Sequence, residues 1–320
     1  MAALPQDRVV EDRPFKKTGI DYCGAFSIKQ SSIRRSIVTK GYVCIFVCFV
    51  TKCVHLEMVS DLTTESFLEA FKRFYSRRGY PRIVYCDNAS TFKGANNQFR
   101  KLYEMCKSQS HQSAVIDHCN IQDIEFKFIP SYSPTWGGLW EAAVKSAKYH
   151  FERIIGNVIL TYEQFNTVII KVEAILNSRP ITQMSGDESD LTFLTPGHFL
   201  IQRALTAPPE REIESSNNTN VLHFWKKCTK IHQDFWRVWH RSYLSQLLSR
   251  PKWHKVYPDV KEGVLVLLIG EKVSPLQWPV ARVVKVFKGR DNRVRSVEVK
   301  TKNGAHTRAI NKIAVLPIYD

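Results

Sequence analysis

Residues 17–59, KTGIDYCGAFSIKQSSIRRSIVTKGYVCIFVCFVTKCVHLEMV, decide the fold. Three strand-like runs lie here, at 17–28, 41–50 and 53–59, with only short connections between them. The middle run, YVCIFVCFV, is apolar at every position, as a strand covered on both faces must be. Its neighbours are close enough in sequence for an antiparallel meander. The next segment, TTESFLEAFKRFYSRRG (63–79), opens on hydroxyl residues that can cap a helix and stops at Gly79. Phe67, Leu68, Phe71, Phe74 and Tyr75 recur there at helical spacing. Pro81 leads into a short strand, RIVYC, and a polar, mostly helical stretch (91–120) precedes another, IEFKFIP (124–130). Strands that come first as a meander and then alternate with helices predict an α/β domain with a mixed sheet.

Two further helices are expected. In 138–155, Trp140, Val144, Ala147, Phe151 and Ile154 form an apolar stripe, and Glu141, Lys145, Lys148 and Glu152 fall together on another face. In the helix from Tyr162 to about Ser178, the stripe is Phe165, Val168, Val172 and Ile175. The polar run PPEREIESSNNTN (208–220) reads as the best domain boundary. Beyond it, 222–248 is a long amphipathic helix whose three tryptophans are expected to pack rather than stack on bases. From Gly263 onward, short Val-rich runs separated by GRDN (289–292) and Asn303-Gly304 predict a small C-terminal β-barrel.

The chain has 320 residues and a net charge of +16, unevenly distributed. Residues 221–320 hold 20 Lys and Arg against 7 Asp and Glu, whereas residues 1–220 hold 26 against 23. A nearly neutral body with a basic C-terminal third suits a polyanion-binding appendage, because basic side chains displace counterions from phosphates. A merely solubilising surface is the plainer alternative. The eight cysteines fall largely in apolar runs and include no C-x2-C pair, so neither a disulfide framework nor a zinc site is expected. His111, His118 and Cys119 lack a fourth ligand nearby. The longest apolar run falls well short of the ~20 residues that cross a bilayer, and the N-terminus does not read as a signal peptide. An intracellular, reducing compartment is therefore expected, with the sequons at Asn88 and Asn217 unused.

Three acids have contexts suited to a divalent cation: Asp21 in a strand, Asp87 at the end of RIVYCDN, and Glu141 at the start of a helix after SYSPTWGG. Two strand-borne aspartates and a helical glutamate could converge on two metal ions for phosphoryl transfer. Hard carboxylate oxygens suit Mg²⁺ or Mn²⁺. Lys145 and Lys148, one and two turns beyond Glu141, would stand where substrate phosphates lie. A surface Glu–Lys pairing has the same spacing and remains open.

GIDYCG, CDNASTF and PTWGGLWE together resemble the D,D,E catalytic core of retroviral and retrotransposon integrases. The wider wording, including RPFKKTGIDYCG, RRGYPRIVYCDNASTFKGA, GGLWEAAVKSAK and LNSRPIT, looks most like the BEL/Pao group of LTR retrotransposons. WPVARVVKVFKGRDNRVRSVEVKT resembles the basic domain that follows the core there. The resemblance implies an RNase H-like core over 13–180, an extension and linker over 181–220, a helical connector over 221–255 and a basic, SH3-like domain over 260–318. It implies trimming of element DNA ends and their joining to target DNA in the nucleus, by a homo-oligomer. Asp21, Asp87 and Glu141 are then the catalytic metal ligands. Asn88, Trp136, Lys145 and Lys148 flank the DNA, and Arg282, Lys285, Lys288, Arg290, Arg293 and Arg295 contact it from the basic domain. The interval between Asp87 and Glu141 is longer than is usual in the retroviral enzymes, and the extra length falls in the polar 99–123 stretch, where loop extension costs little. The zinc-binding domain that precedes such cores is not seen before residue 13, so the chain is expected to be a piece of a larger element. Two alternatives stand beside this reading: a host-adopted or decayed DNA-binding protein, and another RNase H-like nuclease.

Overall fold

The computed structural model describes the chain apart from residues 1–6, 8–9, 34, 87–123, 129–147, 156–157, 188, 209, 214–223, 249–258, 272 and 317–320. It forms two compact units, 1–173 and 174–320, which divide within a helix.

The first unit is a mixed sheet in the order β3-β2-β1-β4-β5, formed by β1 (Lys17–Lys29), β2 (Val38–Cys48), β3 (Val54–Val59), β4 (Ile83–Cys86) and β5 (Glu125–Phe128). The two-residue strand β6 (Leu160–Thr161) pairs with the far end of β1. β1, β2 and β3 pair antiparallel as the sequence predicts, and β4 and β5 join parallel to β1, so β2 alone opposes the others. From Tyr42 onward β2 is apolar because both of its faces are covered: Val43, Ile45 and Val47 are buried on one, Cys44, Phe46 and Cys48 on the other.

Helix α1 (Thr64–Arg78) begins and ends where its sequence says it should. The Thr63 hydroxyl accepts from Ser66 N at 3.3 Å, and Gly79, at a positive φ of 85°, donates its N–H to Tyr75 O at 2.9 Å. Its phenylalanines are buried, and Phe74 stacks on Phe46 of β2 with ring centroids 4.2 Å apart. Of the helix expected over 138–155, the described part is 148–155, labelled α2. Phe151 is buried there against Phe26 and Phe165, but Ile155 rather than Ile154 completes the buried stripe. α3 (Tyr162–Asn177) buries Phe165, Val168, Val172 and Ile175, the predicted set.

The second unit holds a short ladder of β7 (Thr182–Gln183) and β8 (Phe193–Leu194), the short helix α4 (Pro196–Ile201) and the long helix α5 (Phe224–Leu247). Trp236 and Trp239 of α5 are buried around Trp278, so the packing expectation holds for them. The Trp236 indole donates to Val273 O at 2.9 Å, which satisfies its one polar atom. The C-terminal strands are β9 (Leu265–Leu268), β10 (Val280–Lys288), β11 (Val294–Thr301), β12 (Gly304–Ala309) and β13 (Ile313–Val315). They pair in the open order β12-β11-β10-β9-β13. The expected small barrel is corrected accordingly: among the described residues no ladder joins β12 to β13, so the sheet does not close. Its core is Val266, Leu268, Ala281, Val283, Val294, Val297, Val299 and Ile313.

Candidate functional site

Asp21 lies on β1, the central strand, opposite Ile45 of β2. Its side chain is one-third exposed (33%) despite apolar neighbours on both sides. One carboxylate oxygen accepts the N–H of Tyr22 at 2.7 Å, and the other accepts from Lys148 Nζ of α2. The two partners are 127 residues apart in sequence. The contact repeats one turn along: Glu152 Oε1 lies 3.6 Å from the thiol of Cys23. Asp21 and Cys23 share a sheet face because they are two apart on a strand, and Lys148 and Glu152 share a helix face because they are four apart. The polar face of α2 therefore lies against the Asp21 face of β1. Burial, and then the negative charge of Glu152, push the Cys23 thiol up to about 12, so it is a proton-bearing packing group rather than a nucleophile.

β4 runs parallel to β1 with Gly19 opposite Tyr85, and Cys86, its last residue, follows at the next step. Asp87 comes directly after Cys86 in sequence. Asp87, Asn88, Trp136, Glu141 and Lys145 all lie outside the described residues. Of the expected site, Asp21 and Lys148 are brought together. Among the described residues no group of three His, Cys, Asp or Glu could hold a metal ion. The donor chemistry does fit a hard divalent cation, since Asp21 offers partly exposed carboxylate oxygen whose partners are one amide and one ammonium.

A second acid–base group in the same unit has no such opening. Glu57 and Glu173 flank His55, with His55 Nε2 2.9 Å from Glu57 and Nδ1 3.2 Å from Glu173. Arg73 and Arg77 of α1 hold Glu57, and Arg78 holds Glu173. Glu173 also accepts the outward N–H of Leu56 at 2.9 Å, which caps the edge of β3. Burial lowers the His55 pKa more than its acidic neighbours raise it. Glu173 goes down because His55 and Arg78 outweigh the cost of burial.

In the C-terminal sheet the predicted basic residues divide. Lys285, Lys288, Arg290, Arg293 and Arg295 are exposed. Arg293 pairs with Asp259 at 3.3 Å and Arg295 with Asp291, while Lys285 Nζ stands 5.6 Å from the centre of the half-exposed Phe287 ring. Arg282 is only 2% exposed, and its guanidinium donates to the carbonyls of Gly263 (2.7 Å), Asp190 and Ser185 (3.5 Å). Its place is inside the unit, where it ties the sheet to the 185–190 segment. An isolated basic residue in a Val-rich run gives no sign of this in sequence.

Three comparisons bear on the chain. Residues 223–316, which span α5 and the C-terminal sheet, match a family of unknown function (DUF5641). No curated protein matches. Among solved structures, a simian T-cell lymphotropic virus intasome in complex with the PP2A regulatory subunit B56 gamma aligns over 96% of this chain and 80% of that one, at 11% identity and a TM-score of 0.37. At that score the two backbones share too little for the likeness to bear on fold or function. No described helix is long and apolar enough to cross a membrane.

Proposed function

We propose that this chain is the catalytic core and basic C-terminal region of an integrase of the BEL/Pao retrotransposon kind, acting on DNA ends in a divalent-metal-dependent reaction. The observation that carries the reading is the meeting of Asp21 with Lys148. The three-motif resemblance requires the helix behind the third acid to face the first acid, and its described turns do so. Two further observations support it. A mixed sheet in which only the second strand opposes the others agrees with an RNase H-like core. The parallel strand that leads to Asp87 ends beside β1 within two residues of Asp21.

In this reading Asp21, Asp87 and Glu141 hold the cations. Two Mg²⁺ or Mn²⁺ ions there supply activation of the attacking hydroxyl and stabilisation of the leaving oxygen. The Tyr22 amide fixes the Asp21 carboxylate. Lys148 keeps that carboxylate neutralised before the substrate arrives, then turns to a DNA phosphate, with Lys145 one turn before it. Lys285, Lys288, Arg290, Arg293 and Arg295 grip the DNA backbone by counterion release. Arg282 is not carried forward as a contact. Asn88 and Trp136 flank the substrate in this reading, and assembly as a homo-oligomer in the nucleus belongs to it as well.

The test is joining of short DNA ends in Mg²⁺ or Mn²⁺, with an upstream zinc-binding domain supplied in trans. Wild-type protein should join ends, and Asp21→Asn or Glu141→Gln should not. Salt-dependent DNA binding with no metal-dependent chemistry would instead identify a binding protein. Preferential cutting of RNA–DNA hybrids would identify a different RNase H-like nuclease.

A further inference from the structure

A second carboxylate sits on the Asp21 face of the sheet, and it comes from outside the sheet. Asp7, in the segment before β1, places one oxygen 3.0 Å from Lys17 Nζ of β1. Its other oxygen accepts from the Tyr85 hydroxyl of β4 and lies 3.3 Å from Lys127 Nζ of β5. One arm residue thus bridges three adjacent parallel strands. The ring of Tyr85 is set by stacking on Phe49, with centroids 4.5 Å apart, and Lys127 Nζ stands 5.5 Å from its centre. Lys127 is also 3.8 Å from the exposed Glu125. Lys17 is 12% exposed, an unusually enclosed position for a lysine, so its ammonium needs an anionic partner. Burial would raise the Asp7 carboxyl, but Tyr85, Lys17 and Lys127 outweigh it and hold it at about 2, so the arm carries a full negative charge at neutral pH.

Two ammonium groups and a phenol that converge on one anion form a phosphate-binding arrangement as well as a carboxylate-binding one. Lys17 and Asp21 point to the same face, and Tyr85 lies opposite Gly19, two residues or about 7 Å along the strand from Asp21. A nucleic-acid strand advances about 3.4 Å per phosphate along its axis, so a strand whose reacting group lay at Asp21 would set a phosphate a few nucleotides away over this cradle. The arm itself is anchored further on, at the fully buried Phe15, which packs edge-on against Phe74. Asp7 can leave without disturbing that anchor.

We infer that Lys17, Tyr85 and Lys127 form a phosphate-binding cradle beside the candidate site, and that Asp7 occupies it as an internal stand-in until a phosphate displaces it. The choice of a polynucleotide phosphate over a free one rests on the function proposed above; the cradle does not.

The experiment measures binding of a short oligothymidylate, and separately of inorganic phosphate, to full-length protein. Asp7→Asn should tighten oligonucleotide binding several-fold. Its log–log salt slope should match that of wild type, because both lysines reach phosphate in either protein once Asp7 is displaced. Adding Lys17→Gln and Lys127→Gln to that variant should cancel the gain and make the slope shallower by about 1.4, the value for two lysines on a single strand. A gain confined to inorganic phosphate would assign the cradle to the free ion, whereas unchanged or weaker binding of both probes would overturn it. Hydrogen exchange of wild-type protein guards against a folding artefact. Exchange at residues 10–14 should rise when oligonucleotide is added, and no rise would count against displacement. End-joining is scored separately, so loss of joining with the Asp7→Asn gain intact would sink the integrase reading alone.

Discussion

Asp21 on β1 and the Glu57–Glu173 pair, contributed by β3 and α3, are carboxylates of one unit, yet their surroundings are opposite. Glu57 and Glu173 are enclosed and saturated, with one imidazole, three guanidiniums and a backbone amide between them. Asp21 has one amide and one flexible ammonium, and a third of its side chain is open. A saturated buried network holds elements together, because any lost partner strands a charge in low dielectric. An acid with spare lone pairs and a displaceable partner can accept something else. The contrast separates acids that tie the fold together from one left open to accept a ligand, without appeal to how either looks in sequence.

The contrast is broken most forcefully by removing a buried partner. Glu57→Ala removes the acceptor shared by His55 and the partly exposed Arg73 and Arg77 and should cost about 1.5–3 kcal/mol in denaturant unfolding. A cost near zero would show that the network is solvated. Arg282→Gln, the matching case in the second unit, should cost about 1–3 kcal/mol because it removes a buried donor from partly buried carbonyls, with the salt dependence of DNA binding unchanged. Lys288→Gln should do the reverse, with stability kept and the log–log slope shallower by about 0.9 on duplex DNA.

Acid should sharpen the contrast further. The folded His55 and Glu173 values both lie below their ordinary ones, so in each case the unfolded chain binds more protons. Their contribution is complete above the unfolded values, about 6.5 for His and 4.3 for Glu, and is lost as pH falls through the lower folded values. Stability measured from pH 7 downward should fall first below about 6.5, and Glu173→Gln should flatten the lower limb. The smallest effect belongs to the site itself. Lys148→Gln breaks a partly exposed pair and should change stability by no more than about 1 kcal/mol.

The sequence made some of this legible and hid the rest for physical reasons. α1 announces itself through Thr63, its phenylalanine stripe and Gly79, each a local constraint. β2 does so through an unbroken apolar run. β12, GAHTRA, gives no such sign: it is an edge strand with almost every residue exposed, so no alternation is imposed on it. Arg282 looks like its exposed basic neighbours because its burial comes from a segment some 90 residues away. At the site, the shared face of Lys148 and Glu152 was readable from helical spacing, and its target on β1 was implied by resemblance alone. Asp7 was not readable, since a lone acid in a polar arm acquires meaning only from the three strands that surround it.

The most direct test sets Asp21→Asn against wild type in one preparation, scoring metal-dependent DNA joining, DNA affinity and melting temperature together. If Asp21 is a metal ligand, joining should disappear while affinity and melting stay close to wild type. Joining that survives Asp21→Asn would show that Asp21 is dispensable for the chemistry, and a melting temperature that collapses with it would show that Asp21 is a structural acid.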